Sequence, residues 1–378
     1  MNIGLYIHFP FCKRKCNYCD FYSVTADPDR IRRYADALIV DMEKQAPQFS
    51  NETFDTLFIG GGTPSVGGVD MVRILNRATQ LFNFTPDAEM TCEANPESIT
   101  EEWILQMKSA GINRISMGAQ SFCDAELMDL GRIHDKRKIY HALEIIRKCG
   151  IENINIDLMF GIAHRNAKND HFEAFSESLS EIIQLDIPHI SCYNLTVMGN
   201  TPLQEHLQEY SFPDEDTEEK MYRHLCKRLG ECGYEHYEIS NFAKDGYECK
   251  HNLKYWASKP YLGFGPSAHS FINNVRYSCQ SNVDDYIMGH SRIQIEEKIT
   301  PNQYAYERLV MGLRTKNGVK FSEIEPFFDL IPLKNALNLL EKQGFLLQND
   351  EKFALNERGF RVSNTIISQL GEYFLSDR

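Results

Sequence analysis

Short β-rich stretches alternate with amphipathic helical stretches through the first half of the chain: Leu5 to His8, Thr56 to Ile59, Glu89 to Glu93, Arg114 to Met117, Asn153 to Leu158 and His189 to Leu195. Such alternation predicts parallel βα units. Between the strands, Arg30 to Lys44 sets Ile31, Tyr34, Leu38 and Met42 on one helical face, and Tyr140 to Lys148 runs into Gly150, a helix stop. Six such units make either an incomplete TIM-like (β/α)6 barrel or a doubly wound sheet.

The pattern changes at the acidic turn Phe212-Pro213-Asp214-Glu215-Asp216, which leads into a helix from Glu218 to Leu229 ending near Gly233. From Tyr304 onward the order is helix (Tyr304 to Leu313), helix (Leu333 to Gln343), Gly344, strand (Phe345 to Leu347), polar turn, strand (Phe353 to Leu355) and a final helix, a winged-helix-like module. The chain thus divides into a core over 1–210, an α/β extension over 211–298 and a C-terminal module over 299–378.

In parallel βα architectures chemistry sits in the loops at the C-terminal strand ends, and the unusual residues fall there. Cys12, Cys16 and Cys19 follow the first strand, Gly60-Gly61-Gly62-Thr63-Pro64 the second, Glu93-Ala94-Asn95-Pro96 the third, and Gly118-Ala119-Gln120-Ser121 the fourth; Asp157 ends the fifth. Asp157 lies inside the apolar run Ile154 to Met159, where an unpartnered carboxylate is costly to bury.

Composition narrows the function classes. The 378 residues are 42% hydrophobic and 25% charged, the profile of a soluble globular chain. No apolar run reaches the roughly 18 residues a spanning helix needs, and no charged-then-apolar leader opens the sequence, so a cytoplasmic protein is expected, with transient membrane contact left open. Lys plus Arg against Asp plus Glu gives 40 − 53 = −13, which opposes nucleic acid as a partner. Residues 299–378 balance five Lys and five Arg against three Asp and seven Glu, unlike a basic DNA-binding wing. Eight of the 11 cysteines are scattered without a framework spacing, so disulfides are not expected.

The other three form Cys12-Lys13-Arg14-Lys15-Cys16-Asn17-Tyr18-Cys19, a spacing expected by chance roughly 0.01 times in this composition. Structural zinc wants four closed ligands, and the nearest extra candidate, His8, would have to reach back from the strand. Three thiolates on one short loop suit a [4Fe-4S] cluster with one iron free of protein ligands. An amino acid such as S-adenosylmethionine can chelate that iron through amine and carboxylate, and an electron can then split its sulfonium.

The triplet, Gly-Gly-Thr-Pro and their placement resemble the radical S-adenosylmethionine superfamily, which implies the barrel. Within it, Tyr6-Ile7-His8-Phe9-Pro10-Phe11-Cys12, Gly131-Arg132-Ile133-His134 and the C-terminal module resemble the branch that contains oxygen-independent coproporphyrinogen III dehydrogenase and heme chaperones. The resemblance implies that Tyr6 and the Tyr18 main chain touch the cofactor and that Gly61, Gly62 and Thr63 meet its methionine part, their small size letting backbone approach. It further places Glu93, Gln120, Arg132 and Asp157 at its polar groups and ribose, and Thr196 and His269 near the adenosine.

The dehydrogenase pattern resembles Cys-x-x-x-Cys-x-x-Cys-x-Cys, whereas here Phe21 replaces the last thiol. Cys-Asp-Phe resembles the chaperone side of the branch, for which coproporphyrinogen turnover is not expected. The hexapeptide His251-Asn252-Leu253-Lys254-Tyr255-Trp256 matches a His-Asn-x-x-Tyr-Trp signature associated with heme in that branch. His251 is the candidate axial ligand, with Cys249 or another His as alternatives. The loop Gly161-Ile162-Ala163-His164-Arg165 departs from the usual Gly-Leu-Pro, and His164 and His171 read as solvated residues. The leading expectation is a heme chaperone that holds [4Fe-4S], S-adenosylmethionine and heme, and delivers heme to apo-hemoproteins such as respiratory cytochromes. The alternatives are a radical oxidoreductase of porphyrin biosynthesis and a zinc-stabilised nucleic-acid-binding protein.

Overall fold

The computed structural model describes residues 2–165 and 170–374, so residues 166–169 of the atypical loop lie outside the described residues. Six parallel strands, β1 (Asn2–Phe9), β2 (Thr53–Gly61), β3 (Phe84–Ala94), β4 (Arg114–Gln120), β5 (Asn153–Phe160) and β6 (His189–Asn194), lie side by side in chain order. A doubly wound sheet would reverse its order at a switch point. None occurs here, and the incomplete (β/α)6 barrel is the architecture.

Strand alternation explains why both faces are buried yet differ in kind. Leu5, Ile7 and Phe9 on β1, Cys92 on β3, Ile115 and Met117 on β4, and Ile154 and Ile156 on β5 belong to the apolar core with α1 (Pro28–Gln45), α2 (Gly68–Leu81), α3 (Glu101–Ser109) and α4 (Lys136–Lys148). Burying each such side chain contributes roughly 1.5 to 3 kcal/mol. The intervening residues, Glu89, Thr91, Glu93, Arg114, Ser116, Asn155 and Asp157, share the opposite, inner face, so the barrel has a polar lining. Helices start where the sequence supplies caps: the Asp27 carboxylate accepts from Arg30 N, and Asp135 from Lys138 N.

Residues 211–298 feed both edges of this sheet. The helix predicted over 218–229 runs over Glu215–Glu231, as α6 after α5 (His171–Gln184). β7 (Glu235–Glu238) and β8 (Asn241–Ala243) continue antiparallel beyond β6, while β9 (Tyr261–Phe264) pairs parallel with β1 and β10 (His269–Ile272), β11 (Val275–Cys279) and β12 (Ile293–Lys298) extend that side. Between them, α7 (Lys250–Trp256) is a short helix at the N-terminal end of the barrel: Lys254 Nζ pairs with Asp55 at 2.6 Å and donates to Asn2 O at 3.2 Å. A further short helix, α8 (Val283–Ile287), joins β11 to β12.

The C-terminal module has its own apolar cluster, with Leu309, Leu333, Leu337, Phe353 and Leu370 buried together. Its helices α9 (Pro301–Gly312), α10 (Leu330–Lys342) and α11 (Ser363–Gly371) surround a small sheet of β13 (Val319–Lys320), β14 (Leu346–Gln348) and β15 (Lys352–Leu355) in the order β13-β15-β14, a winged-helix arrangement.

Candidate cofactor site

The five segments singled out in the sequence meet. Cys12, Cys16 and Cys19, with Tyr18, Gly61, Gly62, Thr63, Glu93, Gln120, Arg132 and Asp157, line one hollow at the C-terminal ends of the strands. Asn95, Ser116, Gly118, Tyr193 and Phe21 also line it, and sequence reasoning had assigned none of them to the cofactor. Phe21 stands at its lip, 66% exposed.

A chain of hydrogen bonds ties two cysteines to the barrel. Thr63 Oγ1 donates to Cys12 Sγ at 3.4 Å, and Asn95 Nδ2 donates to Thr63 Oγ1 at 3.1 Å. Arg132 Nη2 donates to Asn95 Oδ1 at 2.8 Å and to Gly118 O at 2.7 Å, while its Nη1 donates to Cys16 Sγ at 3.4 Å. The rest of Gly131-Arg132-Ile133-His134 supports this bracket. Gly131 (φ +75°) leaves room for Asn17, whose Oδ1 would lie 2.7 Å from an added Cβ. His134 bridges Glu97 Oε2 at 3.1 Å and Ala119 O at 3.2 Å.

Burial pushes the Cys12 thiol up and the Cys19 thiol up to about 11. Both are protonated at neutral pH in the metal-free chain, so loading a metal centre must release those protons. Among the described residues no three His, Cys, Asp or Glu side chains converge on a single metal ion. The three thiols all line this one hollow, and a [4Fe-4S] cluster would give each a different iron.

Deeper in, Glu93 Oε2 accepts from Gly61 N at 3.1 Å, and its carboxyl is pushed up to about 8, first by burial and then by the Asp157 charge. Asp157 is raised too, chiefly by burial, although Asn155 Nδ2 donates to its Oδ1 at 2.6 Å. Two buried carboxyls with no ion-pair partner among the described residues fit a ligand that brings an ammonium group and hydroxyls. Gln120 holds a positive φ of 74°, and Tyr193 OH donates to its Oε1 at 2.7 Å, which fixes the amide toward the hollow.

Several expectations change. A Cβ on Gly62 would lie 2.7 Å from Phe11 O and 2.9 Å from Phe9 O, and one on Gly61 (φ +111°) 2.6 Å from the His8 ring. Close packing on β1 and the cysteine loop therefore requires these glycines before any ligand does. Tyr6 lies outside the lining, since its hydroxyl bonds His8 Nδ1 at 3.0 Å beneath Gly61. Thr196 is in the exposed loop after β6, and the His269 ring pairs with Glu296 at 3.4 Å; neither is brought into the hollow.

His251 differs most from expectation. It faces the barrel interior, with Nδ1 2.8 Å from Thr56 Oγ1 and Nε2 2.9 Å from the Tyr255 hydroxyl, and it stacks on Phe58. Burial lowers its pKa to about 3. Both ring nitrogens are thus engaged by hydroxyls within the barrel. Cys249, the alternative ligand, is also buried, its thiol 3.6 Å from Glu89 Oε1. His164, expected in solvent, is buried with Nε2 2.9 Å from Glu126 Oε1, and His171 stacks on it at 4.2 Å.

Residues 6–174 match the model of the radical SAM superfamily, and residues 299–362 that of the HemN C-terminal domain. The chain is 31% identical to heme chaperone HemW of Lactococcus lactis subsp. lactis, over 98% of this chain and 97% of that protein. It is 32% identical to heme chaperone HemW of Bacillus subtilis, over 97% and 99%. Among solved structures, coproporphyrinogen III oxidase HemN from Escherichia coli, a radical SAM enzyme, superposes with a TM-score of 0.84 at 21% identity, over 98% of this chain and 90% of that one. At that identity the superposition establishes the shared fold.

Proposed function

We propose that this chain, which belongs to the HemW family within the radical SAM superfamily, is a heme chaperone: it binds heme and passes it to apo-hemoproteins. The observation that carries this reading is the likeness to heme chaperones along the whole chain, C-terminal module included. Phe21 supports it, because the position two residues after Cys19 offers no thiol.

The superfamily implies a [4Fe-4S] cluster and S-adenosylmethionine. In our reading Cys12, Cys16 and Cys19 hold the cluster, and Gly61 to Thr63, Glu93, Gln120, Arg132, Asp157 and the Tyr18 main chain hold the cofactor. Glu93 and Asp157 would accept from its ammonium and ribose hydroxyls, and Arg132 would offset thiolate charge while orienting Asn95. Bound there, the pair supplies one-electron chemistry at a sulfonium; in a chaperone its role is regulatory or structural. The same reading divides the chain at 210 and 298 and keeps it in the cytoplasm. No helix among the described residues is long and apolar enough to cross a membrane.

Heme titration of the anaerobically reconstituted protein tests the proposal. A saturable Soret band at one heme per chain supports it, and no specific uptake overturns it.

A further inference from the structure

A line of buried polar side chains crosses the barrel from the cofactor hollow to the start of α7. At the hollow, Asn155 on β5 donates from Nδ2 to Asp157 Oδ1 at 2.6 Å. Its Oδ1 meets Nδ1 of His189 on β6 at 2.6 Å, His189 Nε2 meets the hydroxyl of Tyr237 on β7 at 2.8 Å, and that hydroxyl accepts from Cys249 N at 3.2 Å. Cys249 is the residue that caps the start of α7. His189 is fully buried, and burial holds its imidazole well below the usual range, so the ring is neutral with one N–H and one bare nitrogen.

The two ends set the direction of the line. A backbone N–H can only donate, and an ionised carboxylate can only accept. Cys249 N–H therefore points to Tyr237, the Tyr237 O–H to His189 Nε2, His189 Nδ1–H to Asn155 Oδ1 and Asn155 Nδ2–H to Asp157, so every donor is aligned in one sense. Aligned bonds polarise one another, and the last one is stronger when its acceptor carries charge. Packing alone does not call for such a line, because apolar groups of the same shape stabilise a core about as well as a bonded polar pair. The other amides of the first turn of α7 are held separately: Glu89 accepts from Lys250 N and His251 N, both at 3.1 Å.

We propose that this line couples the two ends of the barrel: S-adenosylmethionine seated against Asp157 tightens the start of α7, and His189 and Tyr237 are the positioning residues that carry the effect. The inference rests on the cofactor reading of the hollow and deepens it, giving a regulatory cofactor a target in the short helix that bears the hexapeptide 251–256. The positive group of the ligand holds Asp157 ionised, the charged acceptor strengthens the Asn155 bond, and the gain passes along the aligned donors to Cys249 N. Linkage makes the effect reciprocal, so loosening the start of α7 weakens cofactor binding.

Hydrogen exchange of the amides of residues 249–253 in the reconstituted full chain, with and without S-adenosylmethionine, tests the coupling beside calorimetric affinity. Exchange in the wild type should slow by roughly fivefold or more when the cofactor is added, the low end of coupling between two sites. Tyr237→Phe removes one hydroxyl and keeps the ring; it should lose the slowing and bind the cofactor about fivefold more weakly. His189→Leu breaks the neighbouring joint and should behave alike, whereas Tyr234→Phe, which removes a buried hydroxyl bonded to Ile187 O off the line, should keep the wild-type response. Each variant is compared with itself, so a general loss of stability does not mimic the result. Cofactor binding by the wild type with unchanged exchange at 249–253, or full slowing in Tyr237→Phe or His189→Leu, would overturn the coupling and leave the cofactor reading standing. Absence of cofactor binding by the wild type would remove both.

Discussion

Arg132 donates to Asn95 Oδ1 at 2.8 Å, and through that one contact the guanidinium beside Cys16 and the Thr63 hydroxyl beside Cys12 become a single bracket. A residue from the loop after β4 and one from the end of β3 thereby hold a loop that follows β1.

Breaking the bracket should loosen the cluster without unfolding the barrel. Asn95→Ala leaves Arg132 and Thr63 without their shared partner, a loss of about 1 to 3 kcal/mol if the groups stay dry. We expect faster iron release on exposure to air than in wild type, with an unchanged circular dichroism spectrum. Equal release rates would show that the bracket does not hold the cluster loop.

Gly62→Ala separates packing from ligand approach. The added Cβ collides with the Phe9 and Phe11 backbones, which cannot give like a flexible side chain. The variant should lose thermal stability and cluster loading together. Loss of S-adenosylmethionine affinity alone, with wild-type melting and iron content, would return Gly62 to a ligand role.

Glu93 sets a pH dependence. Its carboxyl is near 4.5 in the unfolded chain and is raised to about 8 in the fold, so the folded state holds a proton that the unfolded state has released between those values. The apo-protein should therefore lose stability as pH rises from about 4.5 to 8. Denaturant midpoints against pH check this, and Glu93→Gln should flatten that dependence. For the same reason an ammonium-bearing ligand binds the ionised form, and calorimetry below pH 8 should register proton release on cofactor binding.

His251 acts inside the barrel in this account. His251→Ala should destabilise the fold by about 2 to 4 kcal/mol through the orphaned Thr56 and Tyr255 hydroxyls and the lost packing. In the folded fraction the Soret position should stay at its wild-type value. A shifted Soret band there would restore His251 as the heme ligand.

The barrel was legible because strand length, helical faces such as Ile31-Tyr34-Leu38-Met42 and the stop at Gly150 are local signals that packing did not override. The cofactor hollow was legible because rare residues stood at successive strand ends. Ser116 could have been found by strand parity, since it alternates with the core residues Ile115 and Met117. The bracket could not, since Asn95 meets Thr63 and Arg132 only after three loops converge. The burial of His251 was unreadable for a related reason: a His-Asn-x-x-Tyr-Trp string states residue types, whereas burial is decided by a helix packing under strands far away in sequence. The two edge extensions of the sheet were likewise unreadable from short, isolated strands whose pairing is non-local.

The most direct measurement of the central claim puts both activities to one preparation. Reconstituted protein, reduced and anaerobic with S-adenosylmethionine, is given heme and an apo-hemoprotein in one vessel and coproporphyrinogen III in another. The account predicts heme uptake and its appearance in the acceptor, with coproporphyrinogen III unchanged by chromatography. Protoporphyrinogen IX formed over many turnovers, with no heme passed on, would contradict it.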